Sequence, residues 1–296
     1  MNSQVWKAAI WLVAASGAML PAASPQVAIL DSDQYTKEFF RRHYPPCGAP
    51  GFYLGADEYK RYLMGWIYVL DQMPVGYQVL KDADITESNL SRFKLLILPN
   101  TASMSDDQQR AVQKWVIQGG RLLATFGSGY KDITADPREL DQLKVQKGGT
   151  TGLHQLWHDP MTKVFGSNPV NNGQGTDVRI TQYTGPTACL SGLLANDLLP
   201  YGAESNLLVH RPENFDGALG FVVLKGVEVK HPSPAIMLER MAHGLVVYYA
   251  FAPEYLVSKE FNLPVTPSCP DGQNWSGRST QGRALMQCTI NFLLNY

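Results

Sequence analysis

The amino-acid sequence predicts an α/β fold, a three-layer sandwich with a mostly parallel sheet and an antiparallel β extension in its second half. In the first 130 residues, short apolar runs alternate with amphipathic segments, which is the pattern of parallel strands connected by helices. Beyond residue 130 the helical spacing gives way to short β-like runs separated by turn residues. With 296 residues, 45% of them apolar and 17% charged, the chain has the composition of one large folded domain or a domain with an insertion.

Four strands are predicted in the first half. Residues 27–30 are apolar at every position, which favours a strand buried on both faces, and the polar residues Asp31, Ser32 and Asp33 follow it. Similar apolar runs predict three more strands, at residues 77–80, 94–100 and 121–126. Strands of this kind form a parallel sheet that needs helices on both of its faces.

Three helices are predicted, at residues 56–73, 105–120 and 281–294. In the first, apolar residues recur at intervals of three and four, and Pro74 stops the pattern. Ser105 is a favourable N-cap for the second helix, and Gly119 followed by Gly120 ends it. These helices are expected to cover the sheet.

The second half is predicted to be mainly β. Short β segments are expected at residues 178–183, 206–210, 219–224 and 234–239. The run 245–251 is the most strand-like of this half, and the tight turn at His243-Gly244 predicts that it pairs with residues 235–240 as a hairpin. We therefore expect one α/β domain over residues 25–296, with a β-rich insertion at about residues 145–233.

Three segments, taken in this order, resemble a known family. They are residues 95–132, which end in Ser128-Gly129-Tyr130-Lys131-Asp132, then Pro234-Ala235-Ile236 leading to Gly244-Leu245-Val246-Val247-Tyr248, and the final helix. Together they are similar to the trimerisation domain of family-42 beta-galactosidases, a non-catalytic domain with the flavodoxin-like fold of class I glutamine amidotransferases. The resemblance covers most of residues 27–132 and 234–296. It implies a non-catalytic protein with a binding or assembly role in carbohydrate metabolism, with a carbohydrate ligand or a homo-oligomer as its partner.

The same resemblance locates the positions at which true class I amidotransferases keep their catalytic groups. Those enzymes have a cysteine on the sharp turn after the fourth strand and a His-Pro-Glu sequence after a late strand. Here the turn offers Phe126, Gly127 or Ser128, and the late strand is followed by Ala252-Pro253-Glu254. Thiolate attack requires a thiol with a base within hydrogen-bond reach, so we do not expect glutamine hydrolysis.

Carboxylates support a second hypothesis, a hydrolase that acts on glycosides. Asp31, Asp33 and Glu254 are all predicted at the carboxyl ends of parallel strands, where open α/β sheets bind ligands. Two carboxylates there could supply acid and base, while hydrogen bonds to nearby N–H groups are the simpler role for the two aspartates. Ser128 could stand in for the missing cysteine, but Phe126 occupies the place of the Gly expected two residues before such a serine. A Gly-rich turn is the simpler explanation of that pattern.

Aromatic residues cluster around Arg41 and could stack on sugar rings, since they have flat apolar faces and polar edges. The candidate binding residues are Tyr35, Arg41, Tyr53 and Tyr130. Packing inside the protein is the alternative, and it is the one that large aromatic side chains favour.

Metal, cofactor and nucleic-acid sites are not expected. His154 and His158 are four residues apart with Asp159 beside them, but Pro160 ends any helix there and no general-base Glu follows His154. The 25 basic and 26 acidic residues give a net charge of −1, so the chain has no basic excess to neutralise a phosphate backbone.

The first 24 residues have the pattern of a secretion signal, with Lys7, the apolar residues 8–20 and small residues up to Ser24. The alternatives are an N-terminal helix and a fragment that begins inside a longer protein, such as a larger glycosidase. The apolar stretch is shorter than the roughly 20 residues that a membrane span requires. We therefore expect a secreted or periplasmic protein without a stable membrane span in the mature chain.

Four cysteines, none of them in a C-x-x-C pair, allow two disulfides if the chain is exported. Cys269 and Cys288 flank a loop and the start of the last helix and are the preferred pair, which leaves Cys47 and Cys189 for the second. In a cytosolic chain these residues would be buried thiols.

Overall fold

A nine-stranded sheet with helices on both faces forms the frame of the protein. The computed structural model describes residues 25–43, 56–129, 159–165, 167–210, 217–224, 233–257 and 279–296. Each face of the sheet packs its own apolar layer against helices, so the predicted α/β sandwich is confirmed.

The sheet is parallel in one half and antiparallel in the other. Its strands, in chain order, are β1 (Val27–Asp31), β2 (Tyr77–Lys81), β3 (Leu95–Leu98), β4 (Arg121–Ala124), β5 (Ser167–Ile180), β6 (Leu198–His210), β7 (Gly217–Leu224), β8 (Pro234–Met241) and β9 (Gly244–Tyr249). Their order across the sheet is β2-β1-β3-β4-β9-β8-β7-β5-β6. The neighbours from β2 to β9 pair in parallel, and those from β9 to β6 pair antiparallel. The parallel half therefore has the strand order of flavodoxin-like sheets, with a reversal between β1 and β3.

The helices include the three predicted ones and several that the sequence did not reveal. In the described residues they are α1 (Thr36–His43), α2 (Ala56–Asp71), α3 (Glu87–Leu90), α4 (Asp106–Ile117), α5 (Asp159–Phe165), α6 (Glu254–Val257) and α7 (Ser279–Asn295). The predicted helices are α2, α4 and α7. The sequence missed α1, α3, α5 and α6 because these have only four to eight residues, too few for an apolar stripe to stand out.

Alternate residues of the buried strands face two separate apolar layers. In β1, Ile29 faces the layer that contains Trp66 of α2, and Leu30 faces the layer that contains Val112 of α4. All of these side chains are fully buried. A parallel strand covered on both faces has no position for a solvent-facing residue, which explains its uninterrupted apolar sequence.

Local sequence explains both ends of α4. Ser105 Oγ accepts a hydrogen bond from Gln108 N at 3.2 Å, and Gln108 Oε1 accepts one from Ser105 N at 2.9 Å, so the two residues form a capping box. Gly119 ends the helix with a φ of 110°, which L side chains rarely adopt. A Cβ on Gly244 would lie 1.9 Å from the Val116 carbonyl oxygen. Glycine at that position therefore lets the β8–β9 hairpin pack against the end of α4.

The antiparallel half returns to the parallel half instead of extending away from it. The backbone N of Asn206 in β6 donates to Ala250 O, just after β9, at 2.7 Å. Leu208 N, also in β6, donates to Ser233 Oγ, just before β8, at 2.7 Å. β6, the edge strand of the antiparallel half, thus lies against the carboxyl ends of the central strands.

Two strands of this half are longer than predicted. The segment expected at 178–183 overlaps only the last three residues of β5, and the one expected at 206–210 lies within β6; these strands have 14 and 13 residues. Register shifts interrupt their pairing, one of them between Gly173 and Thr176. Such bulges break the two-residue period, so the alternation of apolar and polar residues does not reveal the whole strand. The predicted hairpin of β8 and β9 is confirmed by the pairing of Met237 with Tyr248.

A disulfide joins Cys189 to Cys288 and thereby links the 3-10 turn Gly185–Leu190 to α7. This differs from the preferred pairing of Cys288 with Cys269, because folding brings a turn 99 residues away in sequence against the last helix. Cys269 and Cys47 lie outside the described residues, as does the predicted signal at residues 1–24. Over the described ranges, no helix combines the length and the apolar character needed to cross a membrane.

Candidate functional site

Polar side chains are concentrated at the carboxyl ends of the parallel strands, the edge at which open α/β sheets bind their ligands. Nine of them are almost or completely buried, and we refer to them as the carboxyl-edge cluster: Ser32, Thr36, Asp82, Asn100, Thr101, Ser103, Thr125, Ser128 and Glu254. Buried polar groups need hydrogen-bond partners. Those partners decide whether this edge can receive a ligand.

Ser128 lies on the turn after β4, where a nucleophile would stand, but the backbone engages its hydroxyl. Ser128 Oγ is 2.7 Å from Thr125 O and 2.9 Å from Leu98 O, and it accepts a hydrogen bond from Thr101 N at 3.1 Å. The side chain is fully buried. His243 belongs to the β8–β9 turn at the opposite edge of the sheet and is too remote to act as its base. Ser128 therefore has the contacts of a structural residue in a tight turn.

The backbone N–H groups of the same turn, which could form an oxyanion hole, also have partners inside the protein. Each donates to a protein oxygen at 2.7 to 3.0 Å: Gly127 to Asn206 Oδ1, Ser128 to Thr125 O and Gly129 to Thr101 O. An oxyanion hole requires donors aimed at the reacting oxygen. These donors are already used.

Asn206 of β6 connects this turn to the antiparallel half. Its Oδ1 accepts hydrogen bonds from Gly127 N at 2.9 Å and from the Tyr248 hydroxyl at 2.7 Å. Burial raises the pKa of Tyr248 above its usual range, so the hydroxyl keeps its proton and remains a donor. No sequence signal marked Asn206, because its partners are 79 and 42 residues away.

Glu254 is the one acidic group retained from the amidotransferase pattern, and it is fully buried at the start of α6. Its Oε1 accepts hydrogen bonds from Trp66 Nε1 and from Thr125 Oγ1, both at 2.7 Å. Its Oε2 is buried without a hydrogen-bond partner in the described part of the chain. Burial is the main cause that raises the pKa of this carboxyl from 4.5 to about 7. A Cβ on Gly65 would lie 3.0 Å from the Glu254 Cβ, so α2 packs directly on this residue.

The position of the missing histidine is covered as well. Ala252 is fully buried, and its backbone N donates to the Tyr201 hydroxyl at 3.1 Å. Tyr201 belongs to β6, and its ring lies edge-on to that of Phe251 with the centroids 5.2 Å apart. β6 thus closes the two places at which this architecture would hold catalytic groups.

The reversal of strand order between β1 and β3 is the expected ligand-binding point of such a sheet, and Tyr59 fills it. The Tyr59 hydroxyl accepts a hydrogen bond from Ser32 N at 2.7 Å and donates one to Leu30 O at 3.1 Å. Its ring packs with Phe39 and Phe40 in a small buried cluster. These aromatic residues therefore belong to the interior, as large rings generally do.

Asp82 is a buried carboxylate that the sequence did not reveal. It lies in the 3-10 turn after β2 and is 3% exposed. Its carboxylate accepts hydrogen bonds from Gln34 N at 2.7 Å, Tyr35 N at 3.2 Å, Ser32 Oγ at 2.9 Å and Gln108 Nε2 at 3.1 Å. These donors are 26 to 50 residues away, so a local pattern could not identify the site.

The carboxylates predicted to act as acid and base lie in different surroundings. Asp31 forms an ion pair with Lys81 of β2, and this hydrogen bond is the largest cause of the raised pKa of the lysine. Asp33 is exposed. Glu254 lies beside the end of β4, with β3 between that strand and β1. Glycoside hydrolysis needs two carboxyl groups that reach one bond, and these three residues have different surroundings.

The predicted binding residues are tested only in part. Tyr35 is half-buried beside α1, and its backbone N donates a hydrogen bond to the Asp82 carboxylate. Arg41 belongs to α1, but its side chain lies outside the described residues, as do Tyr53 and Tyr130. A role of these residues in binding sugars stays a prediction.

Open cavities lie at the opposite, amino edge of the parallel strands. One of about 280 Å³ is lined by Trp115 and Arg121, among others, and one of about 390 Å³ by Gly76 and Asn291. Lys94 lines both cavities. Within the described ranges, no three His, Cys, Asp or Glu side chains are grouped to hold a metal ion, and the His154–His158 pair lies outside them.

Comparison with known proteins supports the fold and nothing finer. No protein-family model matches the sequence, and no curated protein matches it. A GH42 beta-galactosidase from G. stearothermophilus is 16% identical with a TM-score of 0.52, over 76% of this chain and 27% of that one. A beta-galactosidase from Bacillus circulans sp. alkalophilus is 13% identical with a TM-score of 0.56, over 92% of this chain and 31% of the other. A ThuA-like protein from Bacteroides uniformis is 11% identical with a TM-score of 0.53, over 92% and 93% of the two chains.

The chain therefore spans about a third, or less, of the beta-galactosidases that it matches. At these identities the likeness concerns the fold alone. The structure has a fold that occurs both as part of GH42 beta-galactosidases and as a ThuA-like chain of similar length.

Proposed function

We propose that this chain is a non-catalytic protein of the amidotransferase-like fold, with a binding or assembly role linked to carbohydrate metabolism. The observation that carries the proposal is the hydrogen bonding of the turn after β4. The N–H groups of Gly127, Ser128 and Gly129 all donate to protein oxygens, so none of them is directed at a substrate. The turn has no thiol, and Ala252 stands in the place of the base. A site without nucleophile, base or free oxyanion donors has none of the groups that acyl transfer requires.

The link to carbohydrates rests on the fold that the chain shares with the matched beta-galactosidases. The matched beta-galactosidases carry this fold within chains about three times as long or longer. The non-catalytic trimerisation domains that the sequence resembles supply the assembly role in this proposal.

An activity assay separates this proposal from the hydrolase hypothesis. The wild-type chain, Glu254→Gln and Asp33→Asn would be incubated with glutamine and with a panel of aryl β-glycosides. We expect no turnover above the buffer rate in any of the three. Turnover in the wild type that either substitution abolishes would favour the hydrolase.

Solution mass and ligand titration test the positive part of the proposal. Light scattering after gel filtration is expected to give a mass of two or more subunits, each of 32.8 kDa before any processing, or calorimetry is expected to detect binding of β-galacto-oligosaccharides. A strict monomer that binds none of these sugars would contradict the proposal.

We also propose that the chain is exported. The signal pattern of residues 1–24 supports export, and so does the Cys189–Cys288 disulfide, because disulfides persist in oxidising compartments. The full chain, expressed in a bacterium that has a periplasm, is expected in the periplasmic fraction. Its mass is expected to match a chain that begins close to Ser24. An uncleaved cytoplasmic product with both thiols reactive would contradict this.

A further inference from the structure

The loop between β1 and α1 is wrapped around a carboxylate that belongs to the chain itself. Gln34 N and Tyr35 N donate to Asp82 Oδ2 at 2.7 and 3.2 Å, and Ser32 Oγ donates to Oδ1 at 2.9 Å. Gln108 Nε2, from α4, completes the set at 3.1 Å from Oδ1. We call these four donor residues the Asp82 cradle.

The carboxylate in this cradle is held by hydrogen bonds and not by an ion pair with any described residue. Asp82 is 3% exposed, and no salt bridge joins it to a described residue. The neighbouring Lys81 is paired with Asp31. A buried carboxylate without a salt-bridge partner is costly unless several hydrogen bonds satisfy it, and the cradle supplies them.

The donors of the cradle are held in place by contacts of their own. Ser32 Oγ accepts a hydrogen bond from Thr36 N at 2.9 Å, and this fixes the direction of its proton. The Gln108 side chain is oriented by the capping box of α4, because its Oε1 is bound to Ser105 N, and its Nε2 also donates to Asp82 O at 2.9 Å. Preorganised donors of this kind bind an oxyanion with little further loss of conformational freedom.

We propose that the Asp82 cradle is an oxyanion-binding site whose permanent ligand is the Asp82 carboxylate, and that it binds an external carboxylate of formate or acetate size once that side chain is removed. The cradle stands beside the point where the strand order reverses, the place where related sheets take external ligands. This inference is independent of the proposed function, because it would hold equally in an enzyme.

Chemical rescue of Asp82→Ala tests the proposal, with Asp82→Asn and Asp84→Ala as controls. Asp84 lies in the same 3-10 turn, but its carboxylate accepts a hydrogen bond from Lys81 N at 2.8 Å and takes no part in the cradle. Thermal unfolding would be followed by circular dichroism at pH 7.5 in sodium acetate, formate or chloride at equal ionic strength. Acetate and formate are expected to raise the Tm of Asp82→Ala by about 3–5 °C in a saturable way. The wild type, Asp82→Asn and Asp84→Ala are expected to respond equally to all three salts, since their cradles remain filled.

A second variant protects the test against simple failure to fold. If Asp82→Ala does not fold in chloride, refolding in acetate becomes the measurement, and recovery in acetate alone supports the proposal. Adding Ser32→Ala to Asp82→Ala removes one donor and is expected to weaken the acetate effect about tenfold. The same response of Asp82→Ala to chloride and acetate, recovery in neither salt, or an acetate effect unchanged by Ser32→Ala would overturn the proposal.

Discussion

The two edges of the parallel half use their polar groups in opposite ways. At the carboxyl edge, polar side chains are buried and most of them hydrogen-bond within the protein, as Ser32 does to Asp82 and Thr125 to Glu254. At the amino edge, open cavities of about 280 and 390 Å³ flank the exposed Lys94. The edge where this architecture normally binds ligands has thus become part of the protein interior.

The difference shows what an added sheet half can do to a site. β6 supplies Asn206 to the turn after β4 and Tyr201 to the position of the missing histidine. Once the catalytic groups are absent, a crevice of this kind is stable only if other side chains satisfy its backbone donors. The amino edge has no such requirement, because the strands there begin in solvent-facing loops.

The largest effect is expected from Asn206→Ala at the carboxyl edge. Truncation removes the acceptor of the Tyr248 hydroxyl and the nearer of the two acceptors of Gly127 N, which keeps only the Tyr248 oxygen at 3.2 Å. We expect the free energy of unfolding to fall by about 3–4 kcal/mol, measured by urea denaturation. Asn291→Ala, on the exposed face of α7, is the control and should cost less than about 0.5 kcal/mol. Equal losses for the two variants would remove the distinction between the buried and the open edge.

The next effect is the pH dependence that Glu254 confers. Its pKa is raised from 4.5 to about 7, so between these values the folded state holds a proton that the unfolded state has released. Stability from this group is therefore complete below about pH 4.5 and is lost as pH rises towards 7. Between pH 4.5 and 8 this group is expected to lower the free energy of unfolding of the wild type by about 3 kcal/mol. We expect Glu254→Gln to abolish that loss, measured by denaturation at each pH. Glu87→Gln, which changes a partly exposed glutamate at the surface, should keep the wild-type profile. The wild-type profile in Glu254→Gln would show that Glu254 is not the group that titrates.

A smaller loss is expected for Tyr59→Phe at the reversal point. The substitution keeps the ring but removes the hydroxyl that accepts from Ser32 N and donates to Leu30 O. A cost of about 2 kcal/mol is expected, because a buried N–H loses its partner. Tyr77→Phe removes an exposed hydroxyl bonded to Asp71 and should cost less than about 1 kcal/mol. If the two costs are the same, Tyr59 does not close the crevice as described.

The smallest effect is expected for Lys94→Ala at the amino edge. Its side chain is exposed and lines both cavities. The free energy of unfolding should change by less than about 0.5 kcal/mol in thermal or urea denaturation. Lys81→Ala, which breaks the exposed ion pair with Asp31, should change it by at most about 1 kcal/mol. A loss of more than about 2 kcal/mol in the free energy of unfolding for Lys94→Ala would mean that side chains at the amino edge stabilise the fold as much as those at the carboxyl edge.

Sequence patterns predicted the fold class and the long elements because these depend on near neighbours. The apolar run of β1 and the caps of α4 at Ser105 and Gly119 are local features, and the structure has them where they were expected. Prediction was poorer for β5, since bulges near Gly173 interrupt its alternation. It missed α1 and α6, which are too short to carry a periodic signal.

For the candidate site, the sequence predicted only which catalytic side chains are absent, namely the cysteine and the histidine. The absence of a cysteine near Ser128 and the presence of Ala252 before Pro253 can be read directly from the chain. The burial of Glu254, the engaged hydroxyl of Ser128 and the role of Asp82 could not, because each depends on partners tens of residues away. The preferred cysteine pairing differs from the observed one for the same reason.

The sequence by itself determined that this is an α/β protein whose turn after β4 carries neither a thiol nor a neighbouring histidine. Tertiary structure decided that the same turn is buried and that Gly127 N donates to Asn206 Oδ1. It also decided that the loop after β1 donates its hydrogen bonds to the Asp82 carboxylate. The physical reason is the range of the interactions involved. Strand and helix signals act over a few residues, whereas the partner of a buried polar group is set by the order in which distant strands meet.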